Sequence, residues 1–309
     1  MHMSGAHHHG HDHHHGPEPG TAGGRAFALA VALNLGFTAL EFMAGVLSQS
    51  MALIADAGHN LSDVLALLLA WAANTLATRP PSERFTYGLK SSSILAAIAN
   101  AALLWLALGA ILVETLRRLA DPAPVQGGTM MAVAGVGIVI NGFSAWLFAR
   151  GSKSDLNVRA AFLHLVADAA VSAGVVLAGL AVMLTGIALI DPVTSLVICA
   201  VIGWSSWGLL KDALRMGLLG VPENIDVGAV RAFLAAQPGV SAVHDLHVWP
   251  MSTTETALTV HLVMPGGSDD GFLHGLAHEL EHRFGIGHPT IQIETAGGAE
   301  CALESDGVV

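Results

Sequence analysis

Six apolar stretches, near residues 26–47, 52–77, 91–116, 129–149, 158–184 and 193–210, constrain this chain more than any other feature. A hydrocarbon core of about 30 Å takes roughly 20 helical residues to cross, and each stretch reaches or approaches that length. The chain is 53% hydrophobic and only 12% charged, against about 25% charged residues in soluble domains, so it belongs in a lipid bilayer. The connectors are short and carry turn residues: Ser48-Gln49-Ser50, Arg79-Pro80-Pro81-Ser82, Asp121-Pro122-Ala123-Pro124, Gly151-Ser152-Lys153 and Asp191-Pro192. Asp191 before Pro192 reads as an N-cap followed by proline at the first position of the sixth helix.

Orientation follows from the basic residues. Arg25, Arg79, Arg84, Lys90, Arg150, Lys153, Arg159, Lys211 and Arg215 share one side, and only Arg117 and Arg118 lie on the other. The positive-inside rule then puts both termini in the cytoplasm. A net charge of -11 argues against a nucleic-acid partner, which needs a basic stripe, and favours cations. Cys199 and Cys301 are far apart and fit neither a disulfide framework nor a thiolate cluster.

Four regions are expected. Residues 1–24 hold eight of the 17 histidines in a polar stretch without the apolar core of a signal peptide, and read as a disordered cytoplasmic tail or an affinity tag. Residues 25–215 are expected to form a six-helix transmembrane domain. Residues 216–295 read as a small soluble domain, with a helix from Val227 to Ala236, strands at His244–Trp249 and Thr256–Met264, a helix at Gly271–Phe284 and a strand at Thr290–Thr295. This α-β-β-α-β order suggests a ferredoxin-like α+β unit with helices on one sheet face. Residues 296–309 read as a flexible acidic tail.

The second apolar stretch contains Asp56-Ala-Gly-His59-Asn-Leu-Ser-Asp63 and the fifth contains His164-Leu-Val-Ala-Asp168. A spacing of four sets each His and Asp on one helix face, about 5–6 Å apart at Cβ. A carboxylate at mid-bilayer costs roughly 2.5–3.5 kcal/mol on insertion scales, so such groups normally line a functional path. An interhelical hydrogen bond accounts for one such pair more easily than for the same spacing on two helices. Two imidazoles and two carboxylates make a tetrahedral donor set suited to Zn²⁺, with Co²⁺ and Cd²⁺ as tolerated neighbours. Mg²⁺ and Ca²⁺ prefer all-oxygen sites. The ligands must be deprotonated to bind, so they accept protons once the ion leaves, which makes antiport available from the site itself. Asp56, Glu41 and Asn34 add polarity nearby and are kept out of the ligand set.

The run Ser50-Met-Ala-Leu-Ile-Ala-Asp-Ala-Gly-His59-Asn-Leu-Ser-Asp63-Val, with His164-x-x-x-Asp168, Tyr87-Gly88, Asp191-Pro192 and His244-Asp-Leu-His-Val-Trp249, resembles the cation diffusion facilitator family, in its zinc exporter and cobalt-zinc-cadmium resistance branch. The resemblance implies a homodimer in the bacterial inner membrane, a transport site on helices two and five, alternating access coupled to protons, and a cytoplasmic metal-sensing domain. It also matches His247, His261, His288 and Glu294 to regulatory metal ligands. Some family members carry a further metal site between helices two and three; here residues 79–90 contain no His or Asp, so that site is expected to be absent. Having His rather than Asp first in the helix-two pair tilts the family's preference to zinc.

Strand alternation independently sets His247, His261, Gln292 and Glu294 on one sheet face, opposite Leu246, Val248, Leu258, Val260, Leu262, Ile291 and Ile293. Solvated strand residues explain that polar face as simply. One rival motif remains: His278-Glu279-Leu280-Glu281-His282 is a literal H-E-x-x-H, the zinc-protease signature. The apolar stripe of Leu273, Leu276, Ala277, Leu280 and Phe284 turns its histidines to the wet flank, and the domain is too small for a substrate cleft. The sequence reading is therefore a secondary active transporter and no enzyme, embedded in membrane lipid, with Zn²⁺ as transported and regulatory ion and protons as counter-ion. A metal sensor or store that does not transport, and a membrane peptidase, are the alternatives.

Overall fold

The computed structural model describes residues 22–149, 156–295, 301 and 303. Most of the histidine-rich tail, the basic residues Arg150 and Lys153, and most of the acidic tail lie outside the described residues.

Six long helices follow the six apolar stretches: α1 (Ala22–Ser48), α2 (Met51–Ala77), α3 (Ser92–Ala120), α4 (Gly127–Phe148), α5 (Leu156–Thr185) and α6 (Ile190–Gly217). Among the described residues, five helical segments, from α2 to α6, are long and apolar enough to cross a membrane. Their outward faces carry Leu106, Val139, Leu177, Val197 and Trp204, all exposed. Such a surface aggregates in water and is ordinary against lipid tails. Between the helices, Ala52, Leu53 and Ala55 of α2 pack with Leu104 and Leu108 of α3, Met130 and Ala134 of α4, Val175 and Ala178 of α5, and Ile198, Cys199 and Ile202 of α6.

Close approach needs small residues where lipid supplies no hydrophobic drive between helices. Gly127 and Gly179 meet in this way: a Cβ on Gly127 would lie 2.5 Å from the Gly179 carbonyl oxygen, and one on Gly179 would lie 2.9 Å from that of Gly127. Polar contacts also join helices. Thr115 of α3 and Ser195 of α6 bond at 3.0 Å, and Arg118 donates to the Gln49 carbonyl at 2.8 Å, closing the α1–α2 turn.

The sixth helix starts differently from the expectation. It begins at Ile190, with Leu189 in the N-cap position and Asp191 inside the first turn. The fully buried Asp191 carboxylate instead caps the neighbouring helix: it accepts from Ser50 Oγ at 2.5 Å, Met51 N at 2.6 Å and Ala52 N at 3.2 Å. The first N–H groups of any helix lack intrahelical partners, and a carboxylate there meets both those donors and the positive end of the helix dipole. Local sequence suggested the right chemistry on the wrong helix.

Beyond α6 lie α7 (Val227–Ala235), β1 (Ala242–Pro250), β2 (Thr256–Val263), α8 (Asp270–Phe284) and β3 (Ile286–Glu294). The sheet order is β1-β2-β3, antiparallel between β1 and β2 and parallel between β2 and β3. Val230 and Leu234 of α7 and Leu276 and Leu280 of α8 bury Val248, Leu258, Val260 and Leu262, so both helices cover one face. Thr259 and His261 alternate with those residues and lie on the other. Strand β3 begins four residues before the predicted Thr290 and contains Pro289. Proline is tolerated there because β3 is an edge strand, with one side free of ladder bonds.

The two parts touch at the α2–α3 connection. Lys90 pairs with Glu255, Ser91 Oγ donates to the Met251 carbonyl at 3.2 Å, and Thr253 N donates to Ser93 Oγ at 3.1 Å. The β1–β2 turn thus sits on the start of α3.

Candidate metal centre

Helix α2 supplies His59 and Asp63, and α5 supplies His164 and Asp168, each pair one turn apart. The four side chains form a ring of alternating imidazole and carboxylate. His59 Nε2 lies 3.7 Å from Asp63 Oδ2 and 3.4 Å from Asp168 Oδ1, and His164 Nε2 lies 3.2 Å from Asp63 Oδ2 and 3.6 Å from Asp168 Oδ2. The two rings stand edge to face, 5.9 Å apart. Donor atoms of His59, Asp63 and Asp168 fall within 4.8 Å of one another. His164, whose side chain is 49% exposed, touches both carboxylates but stands outside that tighter group.

Geometry decides what such a ring suits. Zinc bonds of about 2.0–2.1 Å to nitrogen and oxygen at tetrahedral angles imply ligand–ligand edges of about 3.3 Å. The four observed N···O edges, 3.2–3.7 Å, lie around that value. They are long for the best charge-assisted hydrogen bonds, which run about 2.7–2.9 Å. Both imidazoles present Nε2. His59 Nδ1 is buried without a hydrogen-bond partner among the described residues, leaving Nε2 as the working atom.

A second polar layer lies behind the ring. Asp56 is 1% exposed and accepts from Ser172 Oγ of α5 at 3.1 Å; Glu41 of α1, fully buried, accepts from Asn60 Nδ2 at 3.0 Å. These contacts tie α1 and α5 to the turn of α2 that carries His59. Asn34 is half-buried in α1.

The sheet face away from the helices gathers a second group: His244, His261, Glu294 and Cys301, with donor atoms within 4.8 Å of one another. His244 Nε2 is 3.0 Å from Glu294 Oε2, His261 Nδ1 is 3.1 Å from Glu294 Oε1, and Cys301 Sγ is 3.5 Å from His261 Nδ1. Burial alone would raise the Glu294 carboxyl, but hydrogen bonds from Cys301 and His244 and the charge of both imidazoles outweigh it, so its pKa lies below the usual carboxylate value.

This group differs from the set matched by resemblance. His261 and Glu294 belong to it, but His247 and His288 do not. His247 Nε2 bonds Asp245 Oδ1 at 2.9 Å. His288 sits six residues before Glu294 on β3, roughly 20 Å along a strand, edge to face with Tyr87 of the α2–α3 connection. The other two members of the group are His244 and Cys301. His244 pairs with His261 across the ladder and His247 with Thr259, so β1 spends three steps where β2 spends two. That bulge, with Asp245 at φ 49°, brings both histidines to one face where regular alternation separates them. An aspartate inside a strand was the available signal, because Asp and Asn enter the left-handed region most readily among non-glycine residues. Cys301, just beyond β3, is expected from the sequence only as a weak contributor, and it joins the group here.

The H-E-x-x-H run lies on α8 with both histidines exposed and Glu279 held by Arg283 at 2.5 Å.

Comparison with known proteins gives the family. Residues 27–216 match the cation efflux transmembrane domain and residues 222–296 the cation efflux protein cytoplasmic domain. The chain is 38% identical to the zinc transporter ZitB of Escherichia coli, over 96% of each chain. It is 37% identical to the metal cation efflux system protein CzcD of Cupriavidus metallidurans, over 93% of this chain and 90% of that one. With the cadmium, cobalt and zinc/H(+)-K(+) antiporter of Bacillus subtilis it shares 35% identity, over 84% of this chain and 85% of that one. A helical membrane domain with a histidine–aspartate ring, joined to a small sheet domain and matched along nearly its whole length to metal transporters, places this chain in the cation efflux, or cation diffusion facilitator, family.

Proposed function

We propose that the protein exports Zn²⁺ from the cytoplasm, with Co²⁺ and Cd²⁺ as accepted neighbours, by exchanging it for protons at His59, Asp63, His164 and Asp168. The observation that supports this most directly is the ring itself, two carboxylates and two imidazoles alternating between α2 and α5 at zinc-like spacing. With Zn²⁺ bound to neutral imidazoles, the charges of the site sum to zero. With the ion gone and a proton on each imidazole, they also sum to zero. Exchange of one load for the other therefore leaves no net charge in a medium where an unpaired ion costs several kcal/mol. Ligand deprotonation is required for metal binding, so proton release and ion capture are one event. Each helix supplies half of the ligands, so parting α2 from α5 lowers the coordination and releases the ion.

In this reading the protein is a secondary active transporter of the bacterial inner membrane, a homodimer with both termini in the cytoplasm. The sheet-face group of His244, His261, Glu294 and Cys301 is its regulatory Zn²⁺ site. Two imidazoles, a carboxylate and a thiol suit zinc, which takes N, S and O donors alike.

Zinc tolerance in a zinc-sensitive bacterial host tests the assignment. Asp63→Ala and Asp168→Ala should abolish protection at unchanged membrane abundance, and Glu279→Ala should retain it. Full protection by both site variants, or loss with Glu279→Ala alone, would sink the proposal.

A further inference from the structure

The histidines of α8 remain without a role. His274, His278 and His282 recur every four residues, and all three are exposed. Residues four apart on a helix are surface neighbours. The rings of His278 and His282 are 4.3 Å apart, centre to centre, at 48°. The helix beneath them is firmly held: Asp269 caps its start by accepting from Phe272 N at 2.8 Å, Leu276 and Leu280 are buried against the sheet, and Gly285 ends it at φ 69°. Glu279 is engaged by Arg283, while Glu281, exposed beside His282, adds negative potential. Because α8 covers the sheet face opposite His261, this stripe is separate from the His244–His261–Glu294–Cys301 group.

We propose that His278 and His282 chelate a divalent transition ion of the zinc, cobalt, nickel or copper(II) class on the cytoplasmic surface of α8. Imidazole is the preferred neutral ligand for these ions. Two rings fixed on one helical turn bind far more tightly than two independent ones, because the second ligand is already at high effective concentration. The remaining coordination positions are open to water, so the pair exchanges its ion readily. This also explains the H-E-x-x-H spacing without a peptidase: the spacing of one helical turn gives the chelate, and the intervening glutamate is paired.

Residue-resolved histidine footprinting tests the pair in the full chain, since the N-terminal histidines are read on separate peptides. The detergent-solubilised protein is titrated with ZnCl₂, treated with diethyl pyrocarbonate and analysed by peptide mass spectrometry. His278 and His282 should lose reactivity along one shared curve. In His282→Gln the His278 midpoint should move to at least about tenfold higher zinc, as loss of a tethered ligand requires, and His278→Gln should do the same to His282. Glutamine is a good helix former, so both variants keep α8 intact. Reactivity of His278 that ignores zinc, or a midpoint unchanged in His282→Gln, would overturn the chelate.

Discussion

Asp191→Ala is the substitution whose cost the structure defines best. The Asp191 carboxylate holds Ser50 Oγ, Met51 N and Ala52 N at 2.5, 2.6 and 3.2 Å, and alanine leaves all three donors buried at the start of α2. Interhelical hydrogen bonds in membrane proteins average about 0.6 kcal/mol and reach about 1.7, because the unfolded chain finds other partners in the bilayer. Three of them give roughly 2 kcal/mol at the average. Buried donors left unpaired cost about 1–3 kcal/mol each, but Ser50 can turn its hydroxyl elsewhere, which leaves two amides to count. Together these bracket a destabilisation of about 2–6 kcal/mol. Asp191→Asn keeps one acceptor oxygen and should lose about 1–3 kcal/mol, since a neutral bond is roughly half as strong as a charge-assisted one. Reversible unfolding in mixed detergent, followed by tryptophan fluorescence, measures both. Transport should fall as well, because Met51 opens the helix that presents His59 about 12 Å further along. An alanine variant within about 0.5 kcal/mol of the parent, the range of an inert surface change, would refute the cross-helix cap.

Other outcomes follow from single contacts. Gly179→Leu should destabilise the α4–α5 pair by about 1–3 kcal/mol through overpacking, whereas Gly142→Ala, with open space around its Cβ, should be neutral or slightly stabilising in the same unfolding assay. His244→Ala should abolish zinc protection of His261 in a histidine footprint of the full chain, and His247→Ala should leave it intact; the reverse would mean that the β1 bulge is wrong. The Lys90–Glu255 pair is partly exposed, so Lys90→Glu alone should cost at most about 1 kcal/mol of stability, with Lys90→Glu/Glu255→Lys restoring it in a double-mutant cycle.

The apolar stretches were enough to read the helices because a bilayer enforces length and internal hydrogen bonding, both visible in one dimension. The pairs His59 with Asp63 and His164 with Asp168 were visible for the same reason, a period of one turn in an apolar background. What the sequence hid is non-local. Asp191 lies beside Pro192 and looks like a cap for its own helix, yet its partners are about 140 positions away. Pro289 hid the first half of β3, since only an edge position makes a proline acceptable and edge status depends on sheet order. The face of His244 was hidden because one extra residue in β1 reverses it, and alternation reads parity alone.

Zinc flux under an imposed proton gradient tests the central claim most directly. Purified protein is reconstituted into proteoliposomes with an acidic interior, and zinc entry is followed with an internal fluorescent indicator for the parent and for Asp168→Ala. Proton-coupled exchange at the His59–Asp63–His164–Asp168 ring predicts that the gradient speeds entry, that a protonophore removes the gain, and that Asp168→Ala lowers entry by more than about tenfold, since removing even an outer-shell partner typically costs 10–100-fold. Entry that ignores the gradient, or that persists in Asp168→Ala, would contradict it.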